Sequence, residues 1–276
     1  MNVNRPVALV TGASNGLGAA MTDALVGRGW HVLAASRSAR VGAASEASAE
    51  HLALDVTNEA ALRKAVSAAA ARGRDIELLV ANAGINASAL MEEMPAAQAR
   101  AIVETNFWGV VHAARAVLPG MRQRRRGTVA VIGSLAGLVG PPGEAFYAAS
   151  KHALEGFVES LSHEVRPFGI AVRLAEPGFI RTDLARSAPE VAASIADYAP
   201  LRAMLRRHWE GAIEGGMPAD AMARKIVQWL LHGSGLRRRF GRDALWIPRL
   251  KRWLPEAVFM AGGRRECGIP DRLPKP

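Results

Sequence analysis

Pro6 to Gly18 reads PVALVTGASNGLG, an apolar run ending in Thr11 and then the turn Gly12-Ala13-Ser14-Asn15-Gly16-Leu17-Gly18. Ala19 to Arg28, which follow, have helical composition. Strand, glycine turn and helix in that order aim backbone N–H groups and a helix N-terminus at one point, which is how a phosphate is held without a cation. The spacing is G-x-x-x-G-x-G, so the general G-x-G-x-x-G dinucleotide pattern does not apply directly. Taken alone, glycines that merely permit a tight turn compete with the phosphate reading.

Working outward, His31 to Ala35 (HVLAA) forms a second strand that finishes at Ser36-Arg37, about 20 residues past the glycines, where an adenosine ribose should lie. An acidic side chain there would bind the ribose 2′-hydroxyl, whereas Ser36 and Arg37 suit a 2′-phosphate. The alternation continues. Strands are expected at His51–Leu54, ending in Asp55-Val56, and at Leu78–Ala81, ending in Asn82-Ala83-Gly84. Others are expected at Thr128–Gly133 and at Ile170–Ala175, the latter before the turn Pro177-Gly178. Helices are expected at Glu59–Arg72, at Gln98–Leu118 with Asn106 in its middle and Pro119-Gly120 closing it, and at Ala148–Arg166. Arg122 to Arg126 reads as a solvated loop. Strands alternating with helices predict an α/β fold: one doubly wound, Rossmann-type parallel sheet with helices on both faces and a C-terminal extension. Residues 1–276 are read as one domain, with 184–217 as a variable substrate segment and 233–276 as a basic extension.

The stretch Ser134 to Lys151, S-LAGLVGPPGEAF-Y-AAS-K, carries the chemistry. Tyr147 and Lys151 are four apart and share a helix face. A phenol is a poor acid or base at neutral pH, but an ammonium one turn away favours the phenolate and is expected to lower its pKa. Ser134 ends the run TVAVIGS, where an α/β sheet presents functional side chains, and its hydroxyl is placed to bond a carbonyl or alkoxide beside the tyrosine.

The chain of 276 residues is half apolar, enough for a sizeable core. Its single cysteine, Cys267, excludes an intramolecular disulfide framework, and a cytoplasmic setting is expected. No run reaches the length that a spanning helix needs, no signal pattern opens the chain, and no metal is expected. The formal charge of +10 is concentrated: residues 202–276 hold 16 Lys/Arg against 7 Asp/Glu, while 1–201 hold 19 against 18. That charge is dispersed among prolines and glycines without a binding motif, so nucleic acid is not an expected partner.

Taken together, Thr11-Gly12-x-x-x-Gly16-x-Gly18, Asp55, Asn82-Ala83-Gly84, Asn106, Ser134, Tyr147-x-x-x-Lys151 and Pro177-Gly178-x-x-x-Thr182 resemble the short-chain dehydrogenase/reductase family over roughly residues 6 to 232. The 13-residue step from Ser134 to Tyr147 is similar too. The resemblance implies that Tyr147 exchanges a proton with the carbonyl or alcohol oxygen. Lys151 would lower the tyrosine pKa and bond the nicotinamide ribose, Ser134 would orient the substrate, and Asn106 would hold a water of a proton relay. A mid-helix asparagine satisfying a buried backbone group is the other reading of Asn106. The cofactor would be held by Gly12, Ser14, Asn15, Gly16, Leu17, Gly18, Ser36, Arg37, Asp55, Val56, Asn82, Ala83, Gly84, Tyr147, Lys151, Pro177, Gly178 and Thr182. NADP-preferring relatives often carry a basic residue just before Gly16. Here Asn15 stands there, so the expectation of NADP(H) over NAD(H) rests on Ser36 and Arg37.

Substrate should lie between Tyr147 and Leu135, Leu138, Val139, Pro141, Phe146, Ile85, Met91 and the segment 184–217. These residues are largely apolar, which favours a lipophilic ketone or alcohol over a sugar. In the tail, Trp246, Leu250, Trp253 and Leu254 recur at helical spacing beside Arg249, Lys251 and Arg252, interrupted by Pro248 and Pro255. Such a piece packs on its own domain, closes the cleft, meets a partner subunit or rests on an anionic membrane. The resemblance implies a homo-oligomer, a dimer or a tetramer built through the helices that carry Asn106 and Tyr147, and of the two a dimer is expected. A cofactor-binding sensor without turnover is the competing function.

Overall fold

The computed structural model describes residues 5–38, 48–182, 184, 191 and 195–272. Seven parallel strands form the main sheet: β1 (Val7–Thr11), β2 (His31–Ser36), β3 (Ala49–Ala53), β4 (Ile76–Ala81), β5 (Gly127–Ile132), β6 (Ile170–Pro177) and β9 (Arg237–Phe240). Their order is β3-β2-β1-β4-β5-β6-β9, so the chain reverses direction across the sheet between β1 and β4. A two-stranded ribbon, β7 (Ile180–Arg181) with β8 (Met217–Pro218), stands apart. The central strands are apolar on both faces, as a sheet covered on both sides requires.

One face is covered by α2 (Glu59–Ala71), α4 (Gly109–Arg124) and α5 (Ala145–Val165), around a core containing Leu33, Leu79, Val131 and Leu154. The other is covered by α1 (Gly16–Val26) and α7 (Ala219–His232), whose buried side chains, Trp229 of α7 among them, cluster with Val10, Val80 and Ile132. Between them, α3 (Ala96–Val103) leads through a π-helical turn, Glu104–Trp108, into α4, while α6 (Ala199–Glu214), α8 (Arg242–Trp253) and α9 (Glu256–Glu266) flank the C-terminal edge of the strands.

Three expectations are corrected. Pro119-Gly120 does not close the long helix. Pro119 sits inside α4, which runs on to Arg124, and Arg125 then turns into the left-handed region at φ 57°. Arg122 to Arg126 is therefore a helix end, not a loop: Arg124 donates to Asp75 at 2.7 Å and to the Ile76 carbonyl at 3.0 Å, and Arg125 lies over the Phe168 ring. The segment after His232 is not wholly an extension, because Arg237–Phe240 pairs with Leu174–Pro177 and completes the sheet. Three consecutive arginines hide this strand from any apolar pattern. Arg237 reaches Glu155 and Glu159, Arg239 reaches Glu176, and Arg238 lies over the Phe240 ring.

Candidate active site

At the C-terminal ends of the strands, where the sheet reverses, lies a cleft of about 1620 Å³. Of the residues named from the sequence for catalysis or cofactor binding, all line this cleft except Asn106. Its floor is the turn after β1. Gly12 has φ +67°, and a Cβ there would lie 2.7 Å from the Ala83 backbone; on Gly18 one would lie 2.1 Å from the Gly12 carbonyl oxygen. The glycines are therefore needed for packing as well as for the turn. Asn15 stands at the N-cap of α1 but its side chain makes no capping bond. The first N–H groups of the helix thus keep their bonding capacity for an anion in the cleft.

Asn82 ties β4 to this turn: its Nδ2 donates to the Thr11 carbonyl at 3.0 Å, and the Asn82 and Ala83 amides donate to Thr11 Oγ1 at 3.0 and 3.1 Å. Asp55 accepts from the Thr57 amide and hydroxyl, both at 2.9 Å, which fixes the loop after β3 beside Val56. At the far end of the same groove Ser36 is buried and Arg37 is exposed.

Ser134 follows β5, and its Oγ accepts from the Ala136 amide at 3.1 Å. Tyr147 lies in the first turn of α5 and Lys151 one turn later, its Nζ 5.7 Å from the tyrosine ring centre. Burial pushes the Tyr147 phenol up to about 12, helped by the Glu144 charge and opposed by a hydrogen bond with the Ser134 hydroxyl. Burial also pushes the Lys151 ammonium down to about 8. The phenol pKa is therefore raised where a lowering by Lys151 was expected: desolvation disfavours both charged forms, and the influence that opposes it at the phenol is the Ser134 hydroxyl. Lys151 Nζ donates to the Ile132 carbonyl at 2.9 Å.

Asn106 is fully buried in the π turn. Its Oδ1 accepts from the Ile85 amide at 2.8 Å, and its Nδ2 donates to the Ile85 carbonyl at 3.0 Å and to Ser150 Oγ at 3.1 Å. Ser150 Oγ in turn donates to the Tyr147 carbonyl at 2.7 Å. The side chain is a brace between the loop after Gly84 and the helix that carries Tyr147 and Lys151.

Leu135, Val139, Pro141 and Ile85 line the cleft as expected. Leu138, Phe146 and Met91 do not: Phe146 packs against the cluster of Ala87, Met94, Ala99 and Ile102, Met91 is 68% exposed, and Leu138 offers its carbonyl to Lys251 Nζ at 2.7 Å. Of the segment 184–217, in which 185–190 and 192–194 lie outside the described residues, Leu184, Trp209, Ile213 and Met217 are among those that contribute.

Two groups escaped sequence reasoning. Glu144 lines the cleft and is buried; the Ser88 hydroxyl and the Asn86 amide donate to its carboxyl, and burial raises its pKa. It lies within the stretch already singled out, three residues before Tyr147. Asp243, at the start of α8, accepts from the Phe179 amide beside Gly178, where a Cβ would lie 2.0 Å from its carboxylate. No signal in the sequence connects residues 64 positions apart.

The short chain dehydrogenase model matches residues 6–192, more than half of the sequence. The chain is a short-chain dehydrogenase/reductase. The enzyme is 37% identical to the 3-oxoacyl-acyl-carrier-protein reductase FabG of Escherichia coli over 191 residues, 68% of this chain and 78% of that protein. A short chain dehydrogenase from Burkholderia cenocepacia, solved in complex with NADP, is 26% identical with a TM-score of 0.74, covering 95% of this chain and 98% of that one. A short chain dehydrogenase/reductase from Burkholderia phymatum, solved in complex with NAD, shares the fold at 23% identity with a TM-score of 0.76, covering all of this chain and 99% of that one. This enzyme is accordingly an oxidoreductase acting on CH–OH groups with NAD(P).

Proposed function

We propose that the enzyme interconverts a ketone and a secondary alcohol on a hydrophobic substrate with NADP(H), using Tyr147 as the proton-transferring group. The observation that carries this reading is the shared cleft. A part-buried phenol and a buried ammonium face it at one end, and the uncapped start of α1 faces it at the other. Gly12, Ser14, Gly16 and Leu17 would hold the pyrophosphate, Asp55 and Val56 the adenine, and Asn82 to Gly84 its ribose. Arg37 with Ser36 would bind a 2′-phosphate by charge-assisted hydrogen bonds. Pro177, Gly178 and Thr182 would flank the nicotinamide, which supplies or accepts the hydride when bound.

In the reducing direction Tyr147 holds its proton firmly until the substrate oxygen becomes an alkoxide, a stronger base than the phenolate left behind. Ser134, within hydrogen-bond reach of the tyrosine oxygen, fixes where the substrate oxygen sits. Lys151 stabilises the phenolate at the moment it forms, and the Ile132 carbonyl orients its ammonium meanwhile. Asn106, through Ser150, keeps the first turns of α5 in register for both.

The lining by Leu135, Val139, Ile85, Leu184 and Ile213 supports a lipophilic substrate, as does the acyl substrate in the FabG relative's name. Assembly is proposed as a homodimer through the helices that carry Asn106 and Tyr147, in the cytoplasm. Among the described residues no helix is long and apolar enough to cross a membrane. The test is steady-state reduction of a homologous series of straight-chain ketones with NADPH. Expected is a kcat/KM that rises several-fold per added pair of methylenes until the apolar wall is filled. No turnover across the series, with NADPH still bound, would favour the sensor reading.

A further inference from the structure

Most of the strongly exposed large apolar side chains in the described chain gather on two adjoining helices. On α8, Trp246, Leu250 and Trp253 are exposed, Trp246 at 53% and Trp253 at 67%; Leu254 follows, and Val258 and Met260 on α9 are about half exposed. No residue of α9 is buried, and α8 buries only Ala244. A helix pair held so lightly spends its apolar side on something other than the core.

The charges on the same pair have one dominant sign: residues 242–266 carry six arginines and lysines against three acids. Arg249 stacks over the Trp246 ring at 5.2 Å, and Arg252 is exposed beside Trp253. Lys251, also exposed, donates to the Leu138 carbonyl at 2.7 Å, which ties α8 to the loop after Ser134. The apolar surface is also continuous with the cleft, since Leu250, Leu254, Val258 and Met260 are at once exposed and part of its wall.

We propose that α8 and α9 form a docking surface for an anionic lipid bilayer, seating the mouth of the cleft at the membrane interface. Indole rings interleaved with guanidinium groups match a headgroup layer, where amphipathic rings sit at the boundary and cations meet lipid phosphates. A second copy of the chain fits less well, because a two-fold contact would bring together two faces that each carry the same excess of positive charge. The docking does not depend on which ketone is reduced, and its test does not use turnover.

The experiment is sedimentation of the full-length protein with vesicles of phosphatidylcholine alone and of phosphatidylcholine with phosphatidylglycerol, at low and at high salt. Its companion is light scattering to record the oligomeric state. Trp246→Ser/Trp253→Ser and Arg249→Glu/Arg252→Glu are compared with the wild type; all four side chains are exposed, and unchanged melting temperatures and NADPH affinity certify the fold. Expected is binding to the phosphatidylglycerol vesicles that falls at least about tenfold in each double variant and in high salt, with phosphatidylcholine alone binding weakly. The proposal is overturned by no binding of wild type to anionic vesicles, or by binding that the variants leave intact. It is equally overturned by a wild-type dimer that the tryptophan variant converts to monomer.

Discussion

At Tyr147 and Lys151 the same burial acts on two groups in opposite senses. It holds the phenol protonated and makes the ammonium easier to neutralise. The lysine consequence is measurable without substrate. Its folded pKa, about 8, lies below the ordinary 10.5, so folding expels a proton between those values and stability climbs with pH across that window. Below about 8 the cost of a buried ammonium is carried in full. In paired chemical melts, the wild type should gain on Lys151→Met by up to about 3 kcal/mol as pH rises through this window. A difference between the two proteins that does not move with pH would place the ammonium in water. Arg37 makes a different prediction. Arg37→Ala should weaken NADPH binding by about ten- to a hundredfold and leave NADH binding nearly unchanged, because only the 2′-phosphate loses a partner. Equal losses for both nucleotides, read by fluorescence titration, would remove Arg37 from the ribose end of the cleft.

At the level of elements, the strand that completes the sheet is also the one that meets buried acids. Glu176 on β6 is almost fully buried, bonded by Arg239 of β9 at 3.2 Å, and neighbours Glu155 on α5. Burial, with the Glu155 charge, pushes Glu176 up to about 7 against the opposing pull of Arg239. Here the folded pKa exceeds the ordinary 4.5, so the folded protein holds the extra proton. The stabilisation is complete below about 4.5 and is lost as pH rises through about 7. Thermal melts of Glu176→Gln should show a flatter pH dependence than wild type over this range; an unchanged slope would mean that the pair titrates elsewhere. Charge was a poor guide to this strand for the same reason. The run Arg237 to Arg239 reads as a solvated tail until the acids that neutralise it, some sixty to eighty positions earlier, are brought alongside. Asp243 at the Gly178 turn is a second case of pairing across distance.

For the whole molecule, the part that was legible in the sequence is the part set by local rules. Short apolar runs alternating with helical stretches pointed to the parallel sheet, and the ordered motifs, through the family they resemble, named the residues around the cleft. Spacing along one helix gave Tyr147 and Lys151 on one face. What was illegible depended on tertiary partners. Pro119 is tolerated within α4, and the Asn106 amide is spent bracing Ile85 and Ser150. Desolvation, which needs a fold to exist, reversed the expected direction for the tyrosine. One experiment in a single cuvette tests cofactor binding and proton transfer together. Purified protein is added to NADPH while nicotinamide fluorescence is followed, and a lipophilic straight-chain ketone is then introduced, for the wild type and for Tyr147→Phe. Expected is the same saturable rise for both proteins, followed by a loss of the signal on ketone addition that is at least about a hundredfold slower in the variant than in the wild type. No rise with either protein, or equal consumption by Tyr147→Phe, would contradict the proposed function.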